Sequence, residues 1–458
     1  MVAAGMDVAR LSLAHSSLEE TLERLAAVRR AAEDHRAVVG VLADLPGPKV
    51  RAAEFPEGGV HLSEGAVLDI VPDGTGERSS TGRIAVDHPA LLAELRVDDS
   101  LALGDGAIQL VVREVGSDRA RAEVLAGGWA QGRPGVVLPP GRAAAPSPTE
   151  EDLRLLDALA DAEVDMVAIS FVRSAAEVAR ARSAIGSDGP LLIAKIETQE
   201  AVDALDEIVA SADGVMVARG DLGVRCALED VPHYQKRIIR SGVAFGRPVI
   251  TATQMLESMV RATVPTRAEV SDVANAVFDG TSALMLSGET AIGQDPVGAV
   301  RTMARVARRA EQEFDYGAWG RQLGRQQSHE AHGAPAPVRI TAAISAAAWR
   351  AANDAEVSAI IACTNTGATP KAISRFRPTM PVLAATPSLR ALRQLSVAWG
   401  VTPVLTGRHE TTDDIVWFAV QATVDAGLVR LGDLVAVLVG SPTDPDPATD
   451  TLRLVRVH

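Results

Sequence analysis

The chain has 458 residues, enough for about three domains and a large buried core. Hydrophobic residues make up 47% and charged residues 23%, which excludes a disordered or collagen-like chain. Lys+Arg total 45 against Asp+Glu 59, a net charge of -14, so whole-chain electrostatics argue against nucleic-acid or anionic-membrane partners while leaving room for a local basic pocket.

The opening M-V-A-A-G-M reads as the end of a helix running into a glycine stop. An apolar strand over 7–13, a helix over 17–34 and a second strand over 38–45 follow. Residues 52–141 break this rhythm with glycines, short alternating runs such as 107–113 and turn signals such as P-D-G-T-G at 72–76, the marks of a small all-β insertion. Near-continuous apolar strands then recur at 165–171, 191–197, 214–220, 248–253 and 283–289. Helical spacings lie among and after them at 174–184, 199–210, 231–244, 267–279 and 296–313. Such βα units in succession favour a (β/α) barrel over an open doubly wound sheet. Seven barrel strands are visible where closure needs eight, so either the true start lies upstream of Met1 or the barrel is incomplete. Residues 317–338, with Gln, His, Gly and Pro, read as a linker. A second α/β domain follows over 339–458, with strands expected near 357–362, 381–384, 401–405, 433–439 and 452–457. The fold class is therefore α/β: a barrel over 1–51 and 142–316, a β-rich lid over 52–141 and a C-terminal α/β domain.

Two compositional features bear on function. Cys226 and Cys363 are too few for a disulfide framework and fit a reducing cytosol. No apolar run approaches a membrane span and no export signal opens the chain, so the expected location is cytoplasmic, with no membrane partner. Lysine occurs only at Lys49, Lys195, Lys236 and Lys371, arginine supplying the other basic residues, so a retained lysine either marks a place that needs a compact ammonium or is a chance exception.

Barrel enzymes place their chemistry where strands end. Those ends carry Arg10, Asp44, Lys195 with Glu197, Arg219 with Asp221, Thr253, and Ser287 with Glu289. A buried strand has no structural need for charge there, although salt bridges across the barrel mouth are the plain alternative. Glu197 and Asp221 end neighbouring strands, and two hard oxygen donors suit Mg²⁺ or Mn²⁺. A carboxylate acid–base pair is the less attractive rival, because Lys195 beside them holds both ionised. The glycines of A-R-G-D-L-G-V at 218–224 let backbone N–H groups approach an anion where a helix begins. No histidine cluster suggests zinc.

Several runs are closely similar to the pyruvate kinase family: A-G-M-D-V-A-R-L-S-L-A-H at 4–15, D-L-P-G-P-K-V-R at 44–51, K-I-E-T-Q-E at 195–200, D-G-V-M-V-A-R-G-D-L-G-V at 213–224, T-A-T-Q-M-L-E-S-M at 251–259, P-T-R-A-E-V-S-D-V-A-N-A-V-F-D-G at 265–280 and M-L-S-G-E-T-A at 285–291. The resemblance continues to the C-terminus. It implies an A-domain barrel, a small β-barrel lid and a regulatory C domain. It also implies phosphoryl transfer from phosphoenolpyruvate to ADP, with Mg²⁺ or Mn²⁺ and an enolate intermediate at the metal, in a homotetramer.

By position, the resemblance makes Arg10 and Lys195 phosphate-binding cations, with Lys195 also stabilising the phosphoryl group in flight. Glu197 and Asp221 become the metal ligands. Ala218, Gly220 and Asp221, with the Thr253 hydroxyl, become the cradle of the substrate carboxylate. Ser287 becomes the hydroxyl that delivers a proton to the enolate, and Arg51, His15 and Asp105 the nucleotide side.

The family's potassium site loses oxygen donors here at Ala14 and Leu45, and Lys49 replaces a common glutamate. That pattern resembles the potassium-independent branch, with the Lys49 ammonium standing in for K⁺, so K⁺ is expected not to be required; drift in a degraded cation site is the plain alternative. Pro46 and Pro134 depart from the family's usual residues on the nucleotide side. T-N-T-G-A-T-P-K at 364–371 lies where family members often bind a sugar-phosphate effector, and reads equally as an ordinary loop and helix cap. The alternatives to catalysis are a non-catalytic paralogue that binds phosphoenolpyruvate or pyruvate as a sensor or subunit, and a lyase or aldolase on a related barrel.

Overall fold

A computed structural model describes the chain apart from residues 15, 74–77, 105, 107, 140–145, 187, 331–335 and 442–447 and the side chains of 326–330. Seven parallel strands pair in chain order: Val8–Ser12, Gly40–Asp44, Met166–Ile169, Leu191–Ile196, Gly214–Ala218, Val249–Ala252 and Ala283–Leu284. Their residues alternate between two apolar layers. Val41, Val167, Leu192 and Val215 pack outward under the helices, while Leu42, Met166, Ile193, Met216 and Ile250 fill the barrel interior. The 3₁₀ turn Val2–Ala4 packs against the last barrel helix, Pro296–Glu311, which brings the two ends of the curled sheet to face one another. The last strand is shorter than its apolar run suggests, although the Met285 N–H beyond it still donates to the Thr251 carbonyl (2.9 Å).

The barrel helices start where their sequences say they should. Ser17 with Glu20, Thr149 with Asp152 and Thr266 with Glu269 each form a reciprocal capping box. Gly246 and Gly280 stop two of the helices in the left-handed region, at φ 66° and 99°.

The insertion is a small barrel. Six strands run in the order Val136–Val137, Ser100–Leu103, Ile108–Val115, Ala120–Ala126, Val67–Pro72 and Arg83–Val86. Arg51 bridges Gly135 at one edge and Ala52 bridges Val86 at the other, closing the sheet around Phe55, Leu68, Ile70, Ile84 and Leu110. The chain leaves the main barrel over Gly47 (φ 66°), where any Cβ would lie 2.8 Å from Ser170 Cβ and 3.1 Å from the Phe171 ring. Only glycine fits that crossing.

The C-terminal domain has five strands in the order Val401–Leu405, Val382–Thr386, Ala359–Cys363, Leu434–Val439 and Thr451–Arg456, the last antiparallel. The stretch read as a linker, 317–338, is instead helical over Tyr316–Glu330 and again from Ala336 to Asp354. Its glycines disguise a helical spacing of Trp319 and Leu323. The Trp319 indole donates to the Arg375 carbonyl (2.8 Å) and Leu323 is buried in the C-terminal core.

This domain closes the floor of the barrel. Val397 joins the interior cluster, and Gly40 has no Cβ to collide with Ser396. The fully buried Asp165 carboxylate receives Arg29 (2.8 Å), Arg393 (2.9 Å) and the Val41 N–H (2.8 Å). Asp165→Asn leaves two guanidinium groups facing a neutral amide. It should cost about 3 kcal/mol and split chemical unfolding into separate barrel and C-domain transitions. A single unshifted transition would show that Asp165 does not hold the two domains together.

Candidate active site

The C-terminal strand ends converge on a network of charge. Asp44, 2% exposed, accepts Arg10 Nε at 2.7 Å and stands 3.2 Å from Lys195 Nζ. Lys195 also donates to Ser170 Oγ (2.8 Å) and lies 3.0 Å from Glu197 Oε1. Burial works to raise the Asp44 pKa, but the charges and hydrogen bonds of Lys195 and Arg10 bring it below the ordinary carboxylate range. Burial likewise works against a charged Lys195, yet Asp44, Glu197 and Asp221 together raise its pKa, so the ammonium is retained.

Glu197 is in a different position. It is fully buried, and burial first, then the Asp221 charge, push its pKa up to about 7 against the pull of Lys195. Its Oε2 accepts the Phe171 N–H at 2.6 Å, while Oε1 has the Lys195 ammonium 3.0 Å away. A buried carboxylate whose proton affinity is raised beside the Asp221 charge is short of positive charge, and a small divalent cation meets that deficit. The described residues contain no group of three or more His, Cys, Asp or Glu side chains able to cage a metal alone. Glu197 and Asp221 therefore suit an ion that takes its remaining oxygens from substrate and water.

Strand Gly214–Ala218 passes directly into the helix Arg219–Arg225, so Gly220 and Asp221 carry N–H groups of a first turn that has no preceding carbonyl to receive them. The Gly220 N–H donates to Thr253 Oγ1 (2.8 Å), bringing two sequence-identified positions together. Thr253 and Gln254 hold positive φ, 66° and 53°, at the end of the next strand. Arg219 holds that strained loop in place. Its guanidinium donates to the Thr253 carbonyl and, at 2.7 Å, to both Asp272 oxygens. Glu289 is also a brace, accepting the Ser287 N–H (2.7 Å) and the Leu256 N–H (3.0 Å). Ser287 Oγ is left buried with no hydrogen-bond partner.

The lid stands over this mouth, with a cleft of about 790 Å³ between them lined by Val50 and Leu138 above and Phe171, Arg219 and Gly220 below. Arg51 belongs to the lid hinge, its guanidinium donating to the Arg133 carbonyl (3.3 Å). Lys49 is exposed and lies along Gly135 of the returning lid strand, and among the described residues it makes no ion pair with Asp44. His15 and Asp105 lie outside the described residues. Sequence reasoning missed Ser170 and Phe171, although a serine closing the apolar run 165–171 was a visible signal.

Two family models match the chain: "Pyruvate kinase, barrel domain" over residues 1–300 and "Pyruvate kinase, alpha/beta domain" over 342–455. Among similar proteins, the pyruvate kinase of Geobacillus stearothermophilus is 40% identical over all of this chain and 76% of its own length. That of Methylorubrum extorquens is 38% identical over 99% of this chain and 92% of its own. The pyruvate kinase of Clostridium acetobutylicum is 36% identical, covering 99% and 94%. With both domains matched and relatives aligned along nearly the whole sequence, the chain belongs to the pyruvate kinase family.

Proposed function

We propose that the barrel mouth transfers the phosphoryl group of phosphoenolpyruvate to ADP, giving pyruvate and ATP in glycolysis. The observation that carries this reading is the Asp44–Lys195–Glu197 network, a desolvated ammonium held charged beside a buried carboxylate of raised proton affinity. Phosphoryl transfer asks for such positioned charge and for little else.

Arg10 and Lys195 bind the phosphoryl oxygens, and Lys195 follows the charge as it moves to the acceptor. Glu197 and Asp221 would hold Mg²⁺ or Mn²⁺, which when bound neutralises charge on the substrate oxygens. The backbone at Ala218, Gly220 and Asp221, with the Thr253 hydroxyl, receives the substrate carboxylate. The Ser287 hydroxyl, free of other partners, hands a proton to the enolate carbon. Arg51, His15 and Asp105 would serve the nucleotide, the latter two by family resemblance alone, and lid closure excludes water. No monovalent cation is needed: Asp44 is occupied by Arg10 and Lys195, Ala14 and Leu45 offer no side-chain oxygen, and Lys49 adds positive charge at the lid entry. The working form is a cytoplasmic homotetramer. No helix of the described residues is long and apolar enough to cross a membrane.

A coupled assay with phosphoenolpyruvate, ADP and Mg²⁺ tests the reading. In that assay Asp221→Asn should lower kcat about 1,000-fold, the scale of losing a divalent ion's charge stabilisation, with an unchanged thermal midpoint. Glu197→Gln should be as inactive but also less stable, since it strips Lys195 of a buried partner. Equal activity of both variants and the wild type removes the metal assignment.

Lys195→Arg retains the charge but not its shape. A planar guanidinium cannot point donors at Asp44, Ser170 and Glu197 from one centre, so kcat should fall about 100- to 1,000-fold. Near-normal turnover would mean that Lys195 is only a salt-bridge residue.

Titrating KCl against a large inert cation at fixed ionic strength should leave the rate unchanged. Lys49→Glu should create only a partial K⁺ requirement, because the oxygens missing at Ala14 and Leu45 stay missing. Strong K⁺ activation of the unaltered protein would contradict this account.

A further inference from the structure

Three of the four lysines are accounted for: Lys195 in the barrel mouth, Lys49 along the lid hinge and Lys236 in an ion pair with Asp279. Lys371 is not. It lines a small cleft on the seam between barrel and C-terminal domain, with Arg375, Arg377 and Trp399 on its own side and Arg247 and Ser282 across the seam. Among the described residues its ammonium makes no hydrogen bond or ion pair with a side chain or carbonyl. Arg377 is 2% exposed, and its Nη1 has no hydrogen-bond partner; Arg247 Nε is likewise buried and unpartnered.

The carboxylates nearby are already taken. Asp213 is paired with Arg182, and Glu311 accepts the Trp399 indole N–H at 2.8 Å. Burial pushes Lys371 and Arg247 below their ordinary pKa values and Arg377 down to about 10, with Asp213 or Glu311 only partly opposing it. This is the reverse of Lys195, whose carboxylates raise it. The buried donors Arg377 Nη1 and Arg247 Nε are costly to leave unpaired, and with the Lys371 ammonium they form a cluster of one sign that an anion of several acceptor oxygens satisfies.

We propose that this seam is an oxyanion site, taking a phosphate ion or the phosphate group of a small ester and clamping the C-terminal domain to the barrel. It is separate from the loop 364–370. Thr369 faces inward to Thr449, hydroxyl to hydroxyl at 2.6 Å, and Lys371, two residues on in the helix Ala368–Ser374, projects from the opposite side. The anion would act at the foot of the catalytic strands. Arg247 and Ser282 precede Val249–Ala252 and Ala283–Leu284, Ser282 Oγ accepts the Val249 N–H (3.1 Å), and Arg377 donates to the Thr281 carbonyl. The far ends of those strands lead to Thr253 and Ser287. The assignment stands independently of the catalytic reading.

Titration calorimetry of the full chain with inorganic phosphate, in chloride buffer of constant ionic strength, tests it. The wild type should bind one more equivalent than Lys371→Met, since any phosphate at the barrel mouth is common to both. Phosphate should also raise the wild-type thermal midpoint by about 2 °C more than that of the variant. Lys371→Met keeps the apolar stem and removes an unpaired charge, so without phosphate it should melt no lower than wild type and turn over at the same rate. Repeating the titration with glycerol phosphate distinguishes an ester, which gives the same extra equivalent, from the free ion, which alone does so. Equal stoichiometry in wild type and variant for both probes overturns the site. So does a Lys371→Met protein that melts lower in phosphate-free buffer, which would show the lysine to be paired within the protein.

Discussion

The Lys195 ammonium lies within 3.2 Å of Asp44, Ser170 and Glu197 at once, groups carried by three adjacent strands. Each strand end is thereby fixed relative to its neighbours by a charge that must stay buried and must stay charged. Burial of these groups strengthens this mutual hold, because charges interact more strongly in a low local dielectric. The same hold keeps Asp44 ionised and draws Arg10 over the opening. At Lys195, chemistry and rigidity of the mouth therefore share one source.

The opposite end of the barrel obeys a different logic. There the contacts are with another domain: Val397 in the apolar interior, Arg393 on the buried Asp165 and Ser396 close against Gly40. Arg377 crosses the same boundary inside a cage of Phe314, Trp319 and Trp399 rings, 4.8, 5.6 and 4.7 Å from their centroids. Cation–π contacts of this kind hold a guanidinium that, among the described residues, is not ion-paired to a carboxylate. They leave part of its hydrogen-bonding capacity unused.

Much of this was legible in the residues. The seven barrel strands and five C-terminal strands stand where apolar runs end in turn signals, because buried parallel strands cannot disguise their composition. The converging set of strand-end residues was legible too, but not the division of labour within it. Arg219 and Glu289 brace the Thr253 and Ser287 loops, whereas Lys195 and Glu197 face each other in the mouth, and spacing alone treats all four alike. Ser170 went unnoticed because a lone serine after a strand carries no charge to mark it. The helix Tyr316–Glu330 was hidden by Gly317, Gly320 and Gly324, whose low helical preference masks the docking of Trp319 against Gly280. Lys49 lies along Gly135, and its place depends on how the lid leaves the barrel at Gly47, which spacing alone does not show.

The floor of the barrel bears on how the molecule is made. Its last strand ends at Leu284, yet its apolar interior is completed by Val397, in a domain translated later. A ribosome adding about 5–20 residues per second needs on the order of ten seconds to cover the roughly one hundred residues between them. During that interval Leu42, Met166 and Ile193 border an interior without its plug. Synthesis of the C-terminal domain is thus the closing step of barrel folding, and a chain arrested before it would present an open greasy floor to chaperones.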